Sequence, residues 1–233
     1  MSIIKNFIES LVGLIKFIQL DINEKEFVFY SESKFYRNYY IDLIKNLKKK
    51  SNNIILVTSD KDDVLYYKNE IKCIYINNYY LLAYFFKILE CKFMIMTLTD
   101  LGNNFKKSRL CKYYVYFFHA IGSTHQLYTN EAFMNYDIIL ANGEYQSKEL
   151  KLSEVKFNFP QKEIVNSGYI FLDNLFSNAN LSLKEAKHIL FAPSWNYDKK
   201  NLFENYGIEI ISNLLSKNFK VTLRPHPEHY KRS

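Results

Sequence analysis

Short apolar runs, each followed by a stretch of helix length, recur along this chain and restrict its fold more than any other feature. FVFY (27–30), NIILVT (53–58), KCIYI (72–76), KFMIM (92–96), YYVYFF (113–118) and DIILA (137–141) are all of the buried-strand type. Between them, residues 33–49 place Tyr36, Tyr39, Tyr40, Leu43, Ile44 and Leu47 on one side of a helix. Residues 79–89 and 143–155 also read as helices, and Ser59-Asp60-Lys61-Asp62 is a loop that caps another. Strand–helix alternation of this kind predicts a parallel sheet covered on both faces. The chain is 48% hydrophobic and 24% charged, which excludes a disordered polypeptide. Only 6 of its 233 residues are glycine, which excludes folds built on many glycine turns.

The four prolines all come late, at 160, 193, 225 and 227. SNANLSLKEAK (177–187) is polar and reads as a linker. Beyond it a second strand–helix–strand unit is predicted, with strands at 188–192 and 219–223 and a helix at 201–216. At the other end, residues 2–20 carry apolar side chains at 3, 4, 7, 8, 11, 12, 14, 15 and 18, a helical spacing interrupted by Lys5, Glu9 and Lys16. Two readings stand open: a helix docked on the domain, or one lying on a membrane surface. The segment has no small-residue cleavage site and is not read as a signal peptide. No apolar run reaches the roughly 18 residues of a membrane span. Cys73, Cys91 and Cys111 lack metal-ligand spacing and read as free thiols of a reducing compartment.

There are 31 basic side chains against 24 acidic ones, a formal net charge of +7, and 17% of residues are aromatic. Nucleic acid is nevertheless not an expected partner. Lys, Asn, Ile, Tyr and Phe have AT-rich codons, so a low-GC genome enriches them without selection for binding. The basic residues are scattered apart from Lys48, Lys49 and Lys50, at a predicted helix end where cations favour the dipole. Neither zinc-finger spacing nor an RNA-recognition signature is present.

Ligands of open α/β sheets bind beyond the carboxyl ends of the strands, so residues just after strands are the candidates. His119 directly follows YYVYFF, either as a base facing a cleft or as a structural histidine. After it, Ala120, Gly122 and Ser123 are small enough to let backbone amides approach an anion. Ser123 or Thr124 is expected to cap the next helix and aim its N-terminus at a phosphate, with His125 in its first turn. Gly168 allows a tight turn after the strand at 163–165. Asp173 is either a polar-ligand contact or a surface carboxylate. Ser194 follows the first strand of the second unit, as a phosphate or ribose contact or as a turn cap. Arg224 suits bidentate phosphate binding, and His226 is held rigid between two prolines. No Walker A loop, HExxH motif or GxSxG elbow occurs, and no metal site is expected. An unaided histidine base with cationic phosphate contacts fits group transfer to a hydroxyl.

Five stretches in order resemble the CDP-glycerol glycerophosphotransferase family: FFHAIGSTH (117–125), YDIILANGEYQSKEL (136–150), VNSGYIFLDNL (165–175), HILFAPSW (188–195) and LRPHPEH (223–229). These enzymes build teichoic-acid-like polymers. The resemblance spans about 27–230. It implies a GT-B-like α/β fold, with one Rossmann-like parallel-sheet domain and the start of a second. The implied organisation is an amphipathic helix over 1–20, an acceptor-side domain over 21–180, and an incomplete nucleotide-binding domain over 187–233. It implies transfer of glycerol phosphate from CDP-glycerol to a hydroxyl of a lipid-linked or polymeric acceptor, with release of CMP and no cofactor. His119 then matches the family's base and His226 a donor-phosphate contact beside Arg224. Ser194 falls in a Pro-Thr-Trp-like motif and Asp173 in a Gly-x-x-x-Asp-like one. The family's Trp-His-Gly-Thr-Pro loop is here Phe-His-Ala-Ile-Gly, and its later Asp-Ser-Ser-type loop has no counterpart. A complete Rossmann-like half needs more than about 100 residues, so a truncated or split product is expected, acting in the cytoplasm or at the inner face of the membrane. A nucleotide-sugar transferase and a non-catalytic fragment or partner subunit are the alternatives.

Overall fold

Residues 54–58, which read as a buried strand, have every side chain buried, and they belong to a seven-stranded parallel sheet. The computed structural model describes residues 3–99, 101–177, 187–194 and 202–226. It divides into two compact units, Met1–Asn178 and Ala179–Ser233.

The first unit contains strands β1 (Phe27–Ser31), β2 (Ile54–Thr58), β3 (Lys72–Tyr75), β4 (Cys91–Met96), β5 (Cys111–Phe117), β6 (Ile138–Ala141) and β7 (Glu163–Asn166). Its helices are α1 (Ile3–Ile18), α2 (Arg37–Lys48), α3 (Lys61–Tyr67), α4 (Tyr79–Ile88), α5 (Thr124–Leu127), α6 (Glu144–Phe157) and α7 (Ile170–Ser177). The strand order is β3-β2-β1-β4-β5-β6-β7, and every pairing is parallel. This is the parallel α/β sheet that the alternation predicts, with the Rossmann-like architecture that the resemblance implies. Winding reverses between β1 and β4, so the crevice at their carboxyl ends is where such a sheet accepts ligands.

Alternation along the strands builds two cores. Val28, Tyr30, Ile55, Val57, Tyr114 and Tyr116 face one layer, where Leu14 and Phe17 of α1, Phe85 and Phe86 of α4 and Leu150 of α6 pack on them. Phe29, Leu56, Val115 and Phe117 face the other, with Tyr40 and Ile44 of α2 and Tyr67 of α3. The N-terminal helix is docked on the domain. Its Ser10, Gly13, Leu14 and Phe17 are buried, Ser10 Oγ accepts the Asn77 amide at 3.0 Å, and Asn6 accepts the Tyr75 hydroxyl at 2.9 Å.

The helix expected from residue 33 is not continuous. Residues 34–36 form a 3-10 turn, and α2 starts at Arg37. The Asp60 carboxylate accepts the Lys34 amide at 3.0 Å, so the loop after β2 holds this turn.

The second unit pairs β8 (His188–Phe191) with β9 (Lys220–Leu223) in parallel, joined through α8 (Leu202–Ser216). Leu190 and Leu223 remain exposed on its strands. Most of the predicted linker at 177–187 lies outside the described residues, as do Trp195 and Pro227.

Candidate active site

His119 lies two residues past the end of β5, beside the crevice where the sheet winding reverses. Alternation decides which way it faces. Tyr114, Tyr116 and Phe118 point into the α1/α4/α6 core and Val115 and Phe117 into the other, so His119 continues on the side of α2 and α7. Its ring meets Tyr36 edge-on at 5.3 Å between centroids and Tyr39 at 6.1 Å. Tyr39 also packs on Phe171 at 5.2 Å, and the Tyr169 hydroxyl donates to the His119 carbonyl at 3.0 Å. Two segments far apart in sequence, 36–39 and 169–171, thus surround one half-buried histidine. Burial lowers its pKa below the ordinary histidine value. Its Nδ1 is buried and without a hydrogen-bond partner among the described residues. A neutral imidazole with a free ring nitrogen at neutral pH is competent to take a proton.

The turn carrying Tyr36 is pinned from below. Asp63 of α3 is fully buried and accepts Ser31 Oγ at 3.1 Å, Thr58 Oγ1 at 3.0 Å and Arg37 Nε at 3.0 Å. The Arg37 guanidinium lies over the Tyr66 ring, 4.3 Å from its centroid. The ends of β1 and β2 and the start of α2 are locked together by one carboxylate.

The loop after His119 differs from expectation. Ser123 is the N-cap residue of α5 but makes no side-chain cap bond to it. The Thr124 amide and hydroxyl instead both donate to Glu149 of α6, at 2.6 and 2.7 Å. Burial pushes the Glu149 pKa up, but hydrogen bonds from Thr124 and Ser123 outweigh it and the net shift is downward. A carboxylate of the chain itself therefore occupies the helix end expected to face a phosphate. The carbonyls of Ala120 and Gly122 are also engaged, accepting Asn142 Nδ2 at 2.9 Å and Gln146 Nε2 at 3.0 Å. His125 is exposed and lines a small cleft with Tyr128, Phe133 and Lys162.

Gly168 has a φ of 73°, in the left-handed region, and turns the chain from β7 into α7. That turn delivers Tyr169 to the His119 backbone. Asp173, in the first turn of α7, is exposed. In the second unit, Ser194 leaves β8, and Arg224 and His226 leave β9, at the same end of adjacent strands. The Arg224 amide bonds to the Phe191 carbonyl at 2.9 Å, leaving its side chain exposed along with those of Ser194 and His226. Among the described residues no group of three or more His, Cys, Asp or Glu side chains is placed to hold a metal ion.

Tyr36, Tyr39, Tyr169 and Glu149 are the contributors that sequence reasoning did not single out. Tyr36 and Tyr39 were legible only as members of a helical apolar stripe, and nothing in their spacing separates a core tyrosine from one that walls a site.

No protein-family model and no curated protein matches the sequence. Among solved structures there is a likeness. The chain is similar in fold to a wall teichoic acid polymerase. Two structures of that enzyme, TagF, soaked with CDPG for 30 and 15 minutes, match 100% and 97% of this chain and 67% and 66% of their own. Identity is 15% in both, and the TM-scores are 0.46 and 0.45.

Proposed function

We propose that this chain belongs to a transferase that passes glycerol phosphate from CDP-glycerol to a hydroxyl of a surface polymer or its lipid-linked primer. The observation that carries the reading is His119: a neutral, half-buried imidazole with an unbonded Nδ1, at a strand end beside the ligand crevice. The ordered motifs from FFHAIGSTH to LRPHPEH, with their resemblance to CDP-glycerol glycerophosphotransferases, support the choice of donor.

In this reading the acceptor oxygen attacks the β-phosphorus of CDP-glycerol. A new P–O bond forms and the bridging P–O bond to the α-phosphate breaks. CMP leaves with the bonding electron pair, and His119 takes the hydroxyl proton. Within the second unit, Arg224, Ser194 and His226 at the same strand ends are the groups suited to bind a phosphate. Tyr36 and Tyr39 exclude water from one side of the base. Ser123, Thr124 and His125 have no assigned role, because Glu149 fills the helix end.

The test is calorimetric binding of CDP-glycerol, CMP and a UDP-sugar, with and without His226→Ala, followed by CMP release in the presence of a glycerol phosphate acceptor. Cytidine-selective binding weakened about tenfold or more by His226→Ala is expected, as for loss of a charge-assisted phosphate contact. His119→Gln is expected to keep donor binding and lower turnover by about a hundredfold or more. Preference for the UDP-sugar would point to glycosyl transfer instead. Failure to bind any nucleotide by a cooperatively folded chain would remove the enzyme reading for this polypeptide alone.

A further inference from the structure

Three tyrosines gather at His119, and a fourth stands near them. Tyr36 and Tyr39 follow β1, Tyr169 follows β7, and Tyr128 closes α5. The rings of Tyr39 and Tyr169 are 6.3 Å apart, and Phe171 continues the wall at 5.2 Å from Tyr39. All five aromatic side chains are only partly buried, so the wall keeps a surface open to a ligand. Glu32 stands directly after β1, at one of the two strand ends between which the winding reverses, and it is exposed. Burial raises the Tyr36 phenol pKa, and the charge of Glu32 and a hydrogen bond to that carboxylate add to it. Burial likewise raises Tyr169, with the neighbouring Tyr39 and Tyr128 adding to it. Tyr128 is thus within electrostatic reach of both hydroxyls. Phenols of this kind stay protonated at neutral pH and can both donate and accept.

The charges around this wall disfavour an anion. Glu32 is a carboxylate, and the cations of the same turn are already engaged, Lys34 with Asp62 at 2.7 Å and Arg37 with Asp63 at 3.0 Å. Lys162, in the cleft beside Tyr128, is paired with Glu154. On the loop after His119, Glu149 takes the Thr124 amide and hydroxyl. A phosphate-bearing chain laid along the wall would meet a carboxylate with these cations spent. An alkyl chain fits no better, because it would cover phenol hydroxyls without bonding them. A sugar ring meets each feature. Its C–H face packs on aromatic rings, its hydroxyls exchange hydrogen bonds with phenols and a carboxylate, and it carries no charge for Glu32 to repel.

We infer that the Tyr36–Tyr39–Phe171 wall and Glu32 determine acceptor specificity, and that they admit an uncharged sugar ring beside His119 in preference to a phosphate-bearing chain. The role of that sugar as acceptor rests on the transfer reading above. The step is then the one already described, with a ring hydroxyl as nucleophile. Its oxygen bonds to the β-phosphorus, its proton goes to His119, and CMP leaves with the electron pair of the broken P–O bond.

The test is saturation-transfer NMR of the full chain with methyl β-glucoside and methyl β-N-acetylglucosaminide, with glycerol 3-phosphate as competitor. At least one glycoside is expected to bind through its ring C–H protons, and glycerol 3-phosphate to leave that signal in place. Tyr39→Ala should weaken binding about tenfold or more, and Tyr36→Phe and Glu32→Gln several-fold each. Glu32→Lys should let glycerol 3-phosphate compete. Tyr80→Ala, at an exposed tyrosine of α4, should leave binding unchanged. Melting curves establish that each variant folds. Should Tyr39→Ala not fold, Tyr36→Phe and Glu32→Gln, which keep the packing, carry the test. Absence of glycoside binding, displacement by glycerol 3-phosphate, or binding untouched by the wall substitutions would overturn the inference. Calorimetry with CDP-glycerol on the same samples separates the two readings. Donor bound without glycoside overturns this inference alone. Glycoside bound without donor removes the transfer reading and leaves the sugar-binding wall standing.

Discussion

His119 sits in a protein environment that favours its neutral form, and the consequence is measurable without knowing the substrate. The unfolded chain protonates this ring near its ordinary pKa of about 6.5, and the folded chain only at lower pH. Between those two values the unfolded state holds more protons, so stability falls as pH falls. Above the ordinary value both states are neutral and the ring contributes no pH dependence. Wild type should therefore lose melting temperature relative to His119→Gln below about pH 6.5 and run parallel to it above. Parallel curves throughout would show that burial does not depress this histidine. Asp63 poses the opposite case, a buried carboxylate whose partners depend on it. Asp63→Ala removes the carboxylate partner of the Arg37 guanidinium and one acceptor of each of two hydroxyls, and should cost about 3 kcal/mol or more in urea unfolding. A loss under about 1 kcal/mol would mean that the lock on the turn carrying Tyr36 is not made by this carboxylate.

Helix α1 shows how one position governs an element. Alanine is a better helix former than glycine by about 1 kcal/mol, so propensity alone predicts that Gly13→Ala stabilises α1. The Tyr75 carbonyl, 2.1 Å from the added Cβ, belongs to a strand held in register by β2 and cannot retreat freely. Gly13→Ala should therefore destabilise the protein by about 1–3 kcal/mol, and Gly13→Val by more, read as a fall in the urea midpoint. Stabilisation by alanine would show that the helix is not seated as closely as described. The strands were legible because consecutive apolar residues have no partner except a sheet buried on both faces. The turn at 34–36 was not, because its cause is Asp60, 26 residues away from Lys34. Helix α5 was read as an open anion site for the same kind of reason. Its end is closed by Glu149, which local sequence places on a different helix.

At the scale of the molecule, both hydrophobic cores lie within residues 14–170, inside the first unit. Residues 1–178 expressed alone should melt in one cooperative transition. The three cysteines, all in this unit, supply the probe. Cys91 and Cys111 face each other in register on β4 and β5 with sulfurs 3.5 Å apart, and both are buried. Hydrogen bonding to Cys111 and burial push the Cys91 thiol upward, and burial raises Cys73 to about 12. Thiolate is the reactive form, so labelling by a disulfide reagent should follow unfolding and not precede it. Rapid labelling of all three thiols in 1–178 would mean that the unit needs the rest of the chain to fold.

The sequence by itself determined the parallel α/β sheet, the position of His119 at a strand end and the placement of Arg224 and His226 after another strand. These follow from apolar periodicity and chain order, which are local. Only the tertiary structure decided what surrounds the histidine. Tyr36 and Tyr39, after β1, and Tyr169, after β7, reach it from two separate strand ends, and the pleat sends His119 toward them while Thr124 turns to Glu149. It also showed how the N-terminal helix docks on the domain. Gly13 docks one face on the sheet edge, and the same docking leaves Ile4, Ile8 and Ile18 exposed, because a helix can bury only one face against a single sheet.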